Sequence, residues 1–260
     1  MNRKTFLTLA TAMALTLPTL AAADALEDIR AAGVLRAAID LGSPPFGMTD
    51  AQMQPTGSEV ESARALAEHL GVELEIVEVT SPNRIPFLLT GKADVVVASL
   101  SVTDERRQVI DFADPHGVIP IIVAAPASVQ ADSADDLAGV SVATTRGSTN
   151  DQQATADLTG ANLVRYDDDA TLVTAVVSGQ NDVIVSSPMI MAAINDRREA
   201  DPLESKMVLK VNPYAIGLRK DEPALVAAIN EWVAEDLASG KLNEIYKRYN
   251  GIDLPSEMPK

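Results

Sequence analysis

The sequence predicts an α/β protein whose sheets are covered by helices on both faces. Short apolar runs with the composition of buried strands alternate with longer segments in which apolar residues recur at helical spacing. Glycine, proline and asparagine mark the changes from one to the other. Strands that are regularly separated by helices favour parallel-type sheets. The chain has 260 residues, 47% of them hydrophobic, which is enough for one large domain or two smaller ones.

The first strand and the first long helix illustrate the pattern. Residues 34–40 read V-L-R-A-A-I-D, and the turn-forming residues 42–45 end the strand. Residues 58–70 place apolar side chains on one helical face, with Gly71 as the end signal. The further predicted strands are 72–79, 94–99, 118–125, 140–144 and 182–186. The further predicted helices are 83–90, 149–158, 170–178, 188–198, 223–239 and 242–249.

The N-terminal segment, residues 1–25, is predicted to be a cleaved signal peptide. Arg3 and Lys4 precede an apolar run at 6–20, and small residues follow it. The run is shorter than the roughly 20 residues that a membrane-spanning helix needs, which disfavours the alternative of a membrane anchor. Cleavage after Ala23 and cleavage after Ala25 both satisfy the small-residue rule. The chain has no cysteine for a lipid anchor or a disulfide, so we expect a freely diffusing periplasmic protein.

The net charge of the chain limits its partners. It is −16 for the whole chain, and residues 1–25 contribute +1 (Arg3, Lys4 and Asp24), so the mature chain carries about −17 by subtraction. Such a surface repels nucleic acid, because binding to phosphates needs clustered Lys and Arg. With two histidines and no cysteine, the chain also has few of the side chains that bind transition metals. We therefore expect no nucleic-acid partner, no metal and no cofactor.

Several motifs occur in a fixed order along the mature chain. Residues 54–117 include G-K-A-D-V-V-V-A-S-L-S-V-T-D-E-R-R, and G-S-T follows at 147–149. A G-x-x-D strand lies at 179–187, and the C-terminal region contains G-K-L-N-E-I-Y-K-R-Y-N-G. Taken together, these motifs resemble the amino-acid-type periplasmic binding proteins of ABC importers, bacterial extracellular solute-binding family 3.

The resemblance implies a two-lobed periplasmic-binding-protein fold of type II. Each lobe would be a sheet flanked by helices, with the ligand in the cleft between the lobes. Lobe 1 would comprise residues 26–117 plus 215–260, and lobe 2 residues 118–214. The implied partners are a small-molecule ligand and an ABC permease in the inner membrane, with the protein itself a monomer.

The first candidate binding residues follow the predicted strand 94–99. Ser99 and Ser101 flank Leu100, so that both hydroxyls share a face with nearby backbone amides. Arg106 follows, and a guanidinium can hold a carboxylate with two parallel hydrogen bonds. The resemblance gives Arg106 the α-carboxylate of the ligand. The alternative is a salt bridge to Asp104 or Glu105.

The second candidate group is the turn Gly147-Ser148-Thr149, which lies between a predicted strand and a predicted helix. Unpaired amides at a helix start favour an anion, so this turn would supply the other half of a carboxylate clamp. Ser148 or Thr149 is equally suited to cap the helix. The two roles are compatible.

Two further candidates lie near the first predicted strand. Phe46, in S-P-P-F-G, matches a family position at which an aromatic ring lies against the ligand, although packing under the Pro44-Pro45 turn is an alternative. Aromatic residues are only 3% of the chain. Asp40 ends the strand, and the sequence leaves open whether its side chain faces the cleft.

The chain departs from the family at Ser187, where amino-acid binders carry an acid that pairs with the ligand's ammonium group. An unpaired buried ammonium costs several kcal/mol. Asp40, or an acid within 167–169, could substitute for it. Arg84 matches a position that carries arginine in relatives with acidic ligands, so Arg84 with Arg106 would favour a ligand with two negative groups. In the alternative, Arg84 pairs with a surface acid.

The sequence thus predicts a binding protein and not an enzyme. The ligand would be small and carboxylate-bearing, either an amino acid, including the acidic ones, or a related organic acid. It would be captured by lobe closure. Two alternatives share the fold: a periplasmic dehydratase acting on prephenate-like acids, and an accessory protein of a periplasmic oxidation system.

Overall fold

The computed structural model describes residues 25–198 and 200–258. The predicted signal peptide lies outside the described residues, except for Ala25. This residue is buried, opens the first helix and donates its amide to the Glu222 carboxylate at 2.8 Å. Cleavage after Ala23 would leave this helix whole, whereas cleavage after Ala25 would remove its first residue. None of the helices in the described ranges has the length and apolar character needed to cross a membrane.

Helices and strands alternate along most of the described chain. The helices are α1 (Ala25–Ala32), α2 (Ser58–Leu70), α3 (Arg84–Leu89), α4 (Asp104–Arg107), α5 (Thr149–Asp157), α6 (Asp169–Val177), α7 (Pro188–Asn195), α8 (Pro223–Ala238) and α9 (Lys241–Asn250), with a 3-10 turn at Asp135–Leu137. The strands are β1 (Val34–Ile39), β2 (Met48–Thr49), β3 (Pro55–Thr56), β4 (Glu73–Glu78), β5 (Val95–Val96), β6 (Asp111–Phe112), β7 (Gly117–Pro126), β8 (Ser141–Thr145), β9 (Asn162–Tyr166), β10 (Val183–Ser186), β11 (Leu203–Tyr214) and β12 (Gly217–Leu218).

Two five-stranded sheets organise these elements. The first has the strand order β4-β1-β5-β12-β6, and the second β11-β7-β10-β8-β9. The chain leaves the first sheet after β6, builds the whole second sheet, and returns to the first with β12. This confirms the predicted α/β class with two sheets flanked by helices. The predicted lobe bounds, 26–117 plus 215–260 and 118–214, stay a prediction.

Each sheet has a hydrophobic core on both faces. Alternate residues of its central strands point in opposite directions and so enter different cores. In β1, Leu35 and Ile39 enter a core shared with Trp232 of α8, whereas Ala38 enters the core on the other face. In β7, Val123 enters the core on one face of the second sheet, and Ile122 enters the core on its other face.

The structure corrects the expectation of parallel sheets. Each sheet is mixed: β12 runs antiparallel to β5 and β6, and β7 runs antiparallel to β10 and β11. β11 was not predicted, because it is an edge strand with two register shifts and many exposed side chains, so it lacks a buried apolar run. The strand predicted at 94–99 is only Val95–Val96, since Ser99 adopts a positive φ of 44° and ends the extended backbone.

Gly117 is required where the chain enters the second sheet. It pairs with Tyr214 in the β7–β11 ladder, and a Cβ at Gly117 would lie 2.1 Å from the Tyr214 ring. His116, the preceding residue, donates its amide to the Tyr214 carbonyl at 3.2 Å. The ring therefore covers the backbone of this crossing segment.

We expect Gly117→Ala to lower the free energy of unfolding by about 1–3 kcal/mol or more, because the buried Tyr214 ring would have to move. Chemical denaturation of the purified protein measures the effect. Gly160→Ala is the matched control, since its new Cβ would approach only the Ala138 side chain and Cα, at 3.3 and 3.4 Å. Equal stability of Gly117→Ala and the wild type would contradict the predicted crowding.

Candidate ligand-binding cleft

A cavity of about 30 Å³ lies between the two sheets. Eight of the residues predicted from the sequence line it, and they come from both sides: Asp40, Phe46, Arg84, Ser99, Ser101, Ser148, Thr149 and Ser187. Three predicted residues do not line it, namely Leu100, Arg106 and Gly147. Polar residues that were not in the predicted set also line it: Ser43, Ser81, Asn150 and Asp169. The site is therefore more polar and more acidic than the sequence indicated.

Arg84 is the most deeply buried cation of the cleft. It is the first residue of α3, its side chain is 4% exposed, and Nη1 donates to the Ala98 carbonyl at 2.5 Å. Its Nε is buried and has no hydrogen-bond partner among the described residues. Burial lowers the pKa of Arg84, and the charges of Asp40, Asp169 and Glu59 oppose that shift. Arg84 is thus compensated by buried acids and not by a surface acid.

Asp40 lies at the end of β1 and is 5% exposed. Its Oδ1 accepts the Gly42 amide at 3.0 Å. Burial, followed by repulsion from the Asp169 charge, raises the pKa of Asp40 from 3.8 to about 7, and Arg84 opposes this rise. The sequence left open whether Asp40 faces the cleft, and in the structure this residue lines the cavity.

Asp169 is the first residue of α6 and brings a second buried carboxyl to the cavity from the other sheet. It accepts hydrogen bonds from Ser43 Oγ, at 2.5 Å, and from Thr145 Oγ1. Burial raises the pKa of Asp169, and these two hydrogen bonds oppose the rise. Of the acids at 167–169, the other two lie elsewhere: Asp168 caps α6, and Asp167 is exposed beside Arg146.

Arg106 lies behind the cavity wall. Its Nη1 donates to the Ser101 carbonyl at 2.8 Å, and the side chain is buried. Burial, followed by the nearby charge of Arg84, lowers the pKa of Arg106 to about 9. Among the described residues it makes no ion pair with Asp104 or Glu105, so the predicted salt-bridge alternative is not observed. The structure places Arg84, rather than Arg106, at the cavity surface.

The turn at 147–149 is only partly available to a ligand. The Gly147 amide donates to Asp151 Oδ2 at 3.1 Å and the Ser148 amide to the Thr145 carbonyl at 3.3 Å, so both are engaged within the turn. Ser148 Oγ accepts the Asp151 amide and caps α5. Gly147 does not line the cavity: a Cβ there would lie 3.3 Å from Pro82, on the opposite side of the cleft.

Hydroxyl groups connect the two sides of the cleft. Ser101 Oγ lies 3.1 Å from Thr149 Oγ1. Ser187 lines the cavity, and its Oγ accepts the Ile190 amide, so it caps α7. Leu100 belongs to a hydrophobic core and does not line the cavity.

Phe46 lies at the cavity, and its contact with a ligand stays a prediction. Its ring lines the cavity and also packs edge-on against Tyr214, with ring centroids 6.2 Å apart. The carbonyls of Pro45 and Phe46 accept the first amides of α2, from Ser58 and Glu59. The P-P-F turn is therefore held against the start of α2.

Glu59 and His116 form a buried polar pair beside the cavity that the sequence did not place in the site. One Glu59 oxygen accepts the Ser99 amide at 2.9 Å, and the other lies 3.3 Å from His116 Nε2. Both side chains are at most 2% exposed. The sequence signals were an acid at the N-terminus of a predicted helix, which is also common for electrostatic reasons alone, and a histidine close to the predicted lobe boundary.

The fold and cleft define a class of protein: a two-lobed binding protein with a polar cavity between its lobes. The profile of the bacterial extracellular solute-binding proteins, family 3, matches residues 35–252, and the chain belongs to this family. The chain is 29% identical over 197 residues to the ABC transporter glutamine-binding protein GlnH of Bacillus subtilis, covering 74% of this chain and 72% of that protein.

Two further comparisons bear on function. A crystal structure of a mutant of ArgBP from T. maritima superposes with a TM-score of 0.81 and 28% identity, covering 88% of this chain and all of that one. The cyclohexadienyl dehydratase of Pseudomonas aeruginosa is 26% identical over 202 residues, covering 76% of this chain and 70% of that protein. The chain is thus similar to an ABC transporter glutamine-binding protein, to ArgBP and to a cyclohexadienyl dehydratase.

The pKa of Asp40 predicts a pH-dependent stability. A carboxyl whose pKa rises on folding stabilises the protein fully below its unfolded pKa, and this stabilisation is lost as the pH rises through the folded pKa. Between about pH 4 and about pH 7, we expect the free energy of unfolding of the wild type to fall relative to Asp40→Asn by up to about 1.4 kcal/mol per pH unit.

Urea unfolding at several pH values measures this difference. Asp132→Asn, at an exposed position, is the control and should follow the wild-type profile. Parallel profiles for the wild type and Asp40→Asn would show that Asp40 does not hold its proton in the folded protein.

Proposed function

We propose that this protein is the periplasmic solute-binding component of an ABC importer, and that it captures a small carboxylate-bearing ligand by lobe closure. The ligand would be an amino acid or a related organic acid. Membership of the extracellular solute-binding family and the names of the relatives support this proposal. The proposal includes a cleaved signal peptide, a monomeric protein and a permease of the inner membrane as partner.

The observation that carries the proposal is the buried guanidinium of Arg84. It lies at the cavity surface, and its buried Nε has no partner among the described residues. A planar guanidinium holds a carboxylate through two charge-assisted hydrogen bonds, and the low polarity of a buried site strengthens them. We therefore assign the ligand's carboxylate to Arg84, with Arg106 contributing from behind Ser101.

The remaining proposed contacts come from the cavity wall. Ser99 and Ser101 would bind from one side, and Ser148, Thr149 and Ser187 from the other. Phe46 would pack against the apolar part of the ligand. Arg106 would support binding as a positive charge close to Arg84. Leu100 and Gly147 would not contact the ligand, and they would act only by positioning the backbone of the residues next to them.

Contacts across the cleft support a closing mechanism. Ser43 donates to Asp169, Ser101 meets Thr149, and Gln152 donates to Glu105 at 3.1 Å. Each pair joins residues on opposite sides of the cleft. A ligand that touches both sides would stabilise this closed arrangement over an open one. The permease would then recognise the closed form, while other chains hydrolyse ATP.

The charge balance bears on the choice among carboxylate ligands. The buried acids Asp40, Glu59 and Asp169 outnumber the buried arginines Arg84 and Arg106. A ligand with two negative groups would add to the acidic excess at close range, which costs free energy in a buried site. The structure thus favours a ligand with one carboxylate over the doubly negative ligand that two arginines alone would indicate.

A second candidate function is a dehydratase reaction, and one observation favours it. Asp40 holds its proton close to neutral pH, as a general acid must when it protonates a leaving hydroxyl. Incubation with prephenate, followed by the product's absorbance, tests this function. Conversion that is lost in Asp40→Asn would establish the enzyme. Unchanged prephenate would leave the binding function.

The binding proposal predicts stabilisation by ligand. The mature protein, unfolded and refolded to remove carried ligand, is screened by thermal shift against amino acids, α-hydroxy acids, dicarboxylates and amines. A ligand at 100 times its Kd adds about 2.7 kcal/mol of stability, which raises Tm by a few degrees. We expect hits among monocarboxylates, and we expect Arg84→Gln to abolish them.

Two variants make this screen specific. Arg84→Lys keeps the charge without the planar fork and should weaken binding less than Arg84→Gln. Arg107→Gln is the matched control, because Arg107 stacks over Phe112 away from the cavity and should retain every shift. Full retention of the shifts in Arg84→Gln would contradict the assigned carboxylate site.

A further inference from the structure

A second cavity, of about 450 Å³, lies next to the ligand-binding cleft, and we call it the apolar cavity. Small-molecule sites typically have volumes of about 300–1,000 Å³. Three short segments of the chain contribute neighbouring residues to the two cavities. These pairs, with the residue that lines the cleft given second, are Pro45 and Phe46, Val118 and Ile119, and Met189 and Ile190. The two cavities therefore share a wall.

The walls of the apolar cavity come from both sides of the cleft. The Pro44-Pro45 turn is held against the start of α2, and α9 packs with the first sheet through Leu242. Opposite them, α7 packs with the second sheet through Ile194. The start of β7, where the chain passes from one sheet to the other, supplies Val118 and Pro120. The shape of this cavity thus depends on how the two sides are placed.

The polar groups of the lining differ in how well they are satisfied. Tyr246 donates its hydroxyl to the Val118 carbonyl at 3.1 Å, and Tyr249 donates to Glu61 Oε1 at 2.6 Å. Asn250, the last residue of α9, is different: its Oδ1 and Nδ2 are both buried, and neither has a hydrogen-bond partner among the described residues. An unpaired buried amide costs free energy, so a molecule that offers it both a donor and an acceptor is favoured here.

The rim of the apolar cavity selects against negative charge. Asp196 follows α7, lines the cavity and is exposed, and no other described residue of the lining is charged. Ala192 and Ile252 are exposed beside it, so the cavity opens to solvent here. A carboxylate would be repelled by Asp196 and would lose hydration against the apolar walls. An uncharged polar group avoids both costs.

We propose that the apolar cavity is a second binding site, for an uncharged and mainly apolar molecule with one primary amide, and that its occupant stabilises the closed arrangement of the two sides. The amide of this molecule donates to Asn250 Oδ1 and accepts from Asn250 Nδ2. Its apolar part fills the space between α7 and α9. The inference goes beyond the proposed function and does not depend on which ligand the cleft takes.

The effect on closure follows from the two walls. A molecule in contact with α7 on one side and α9 on the other loses one of these contacts when the sides separate. It therefore binds the closed arrangement more tightly and shifts the population towards it. By linkage, a ligand that closes the cleft raises the affinity of the apolar cavity by the same factor.

The site is tested by NMR on the mature protein with labelled methionine and isoleucine methyl groups. Met48 and Met189 line the apolar cavity, whereas Ile119 and Ile190 line the cleft. With 1-naphthylacetamide as the probe, we expect nuclear Overhauser contacts from its ring protons to both methionine methyls. Contacts to the two isoleucines alone, or to none of the four residues, would overturn the site.

Two analogues test the chemistry of the occupant. In 1-naphthylacetate a carboxylate replaces the amide, and the methyl ester of this acid accepts hydrogen bonds but donates none. We expect each to bind at least about fivefold more weakly than the amide. Asp196→Asn should reduce the difference for the acetate and leave that for the ester unchanged. Equal affinities of the three probes would overturn the pairing of the amide with Asn250.

Three variants assign the binding to the cavity. Ala193→Phe fills the cavity from α7 and should abolish the methionine contacts. Ala234→Phe is the matched control, because this residue is exposed on α8 and does not line the cavity. Asn250→Leu should weaken binding of the amide at least about fivefold and raise the Tm of the free protein, since it removes an unpaired buried amide.

Circular dichroism establishes that each variant is folded before binding is compared. Asn250→Leu, which is close in size to the native side chain, keeps the site testable if Ala193→Phe does not fold. Full affinity for 1-naphthylacetamide in Asn250→Leu would contradict the assigned hydrogen bonds, and full affinity in folded Ala193→Phe would contradict the assigned cavity.

Closure is measured by double electron–electron resonance between two spin labels. The chain has no cysteine, so Leu89→Cys on α3 and Ala156→Cys on α5 place the only labels at exposed positions on opposite sides of the cleft. We expect 1-naphthylacetamide to raise the share of the shorter distances, and to have no effect when Ala193→Phe is added. Methionine contacts without a shift to shorter distances would overturn the effect on closure and leave the second site standing.

Discussion

Arg84 carries a buried positive charge, and the cleft is arranged around the cost of burying it. An isolated buried charge costs several kcal/mol, so carboxyl groups must lie close to it. Asp40, Glu59 and Asp169 meet this need, and they come from the end of β1, the start of α2 and the start of α6. The carboxyls that compensate the Arg84 charge therefore come from both sides of the cleft. Their arrangement around Arg84 depends on the two sides being close together.

The same network reaches the segment that connects the two sheets. Glu59 accepts the Ser99 amide, at the point where the backbone turns to a positive φ, and contacts the buried imidazole of His116. His116 in turn lies edge-on to Tyr214, with ring centroids 4.9 Å apart, and Tyr214 covers Gly117. Contacts from the cavity wall thus run without interruption to the crossing segment.

The order of the elements and the class of the fold could be predicted from the sequence because they depend on local patterns. Apolar periodicity and end signals located α2 and α8 to within a residue. Edge strands were missed, since β11 presents lysine, serine and glutamate to solvent and its apolar residues 207–209 are not fully buried. The mixed strand directions were also missed, because antiparallel pairing between β7 and β11 joins segments that are distant in the chain.

The site could be predicted as a set of residues but not as a charge balance. Asp169 lies in a run of three acids, and only the start of α6 decides which of them enters the cavity. The sequence predicted the carboxylate contact for Arg106, yet Arg84 lines the cavity and Arg106 lies behind Ser101. The sequence shows which charges exist. Their partners depend on contacts between segments 40 or more residues apart, such as Glu59 with Ser99 and Ser43 with Asp169.

The most direct test of this account is the titration of the aspartate side-chain carboxyl carbons by NMR, from about pH 4 to about pH 9. We predict an aspartate signal with a pKa near 7 that is absent from Asp40→Asn. If Asp40 titrated with its ordinary pKa near 3.8, the raised pKa that burial and the Asp169 charge give to this carboxyl would be contradicted.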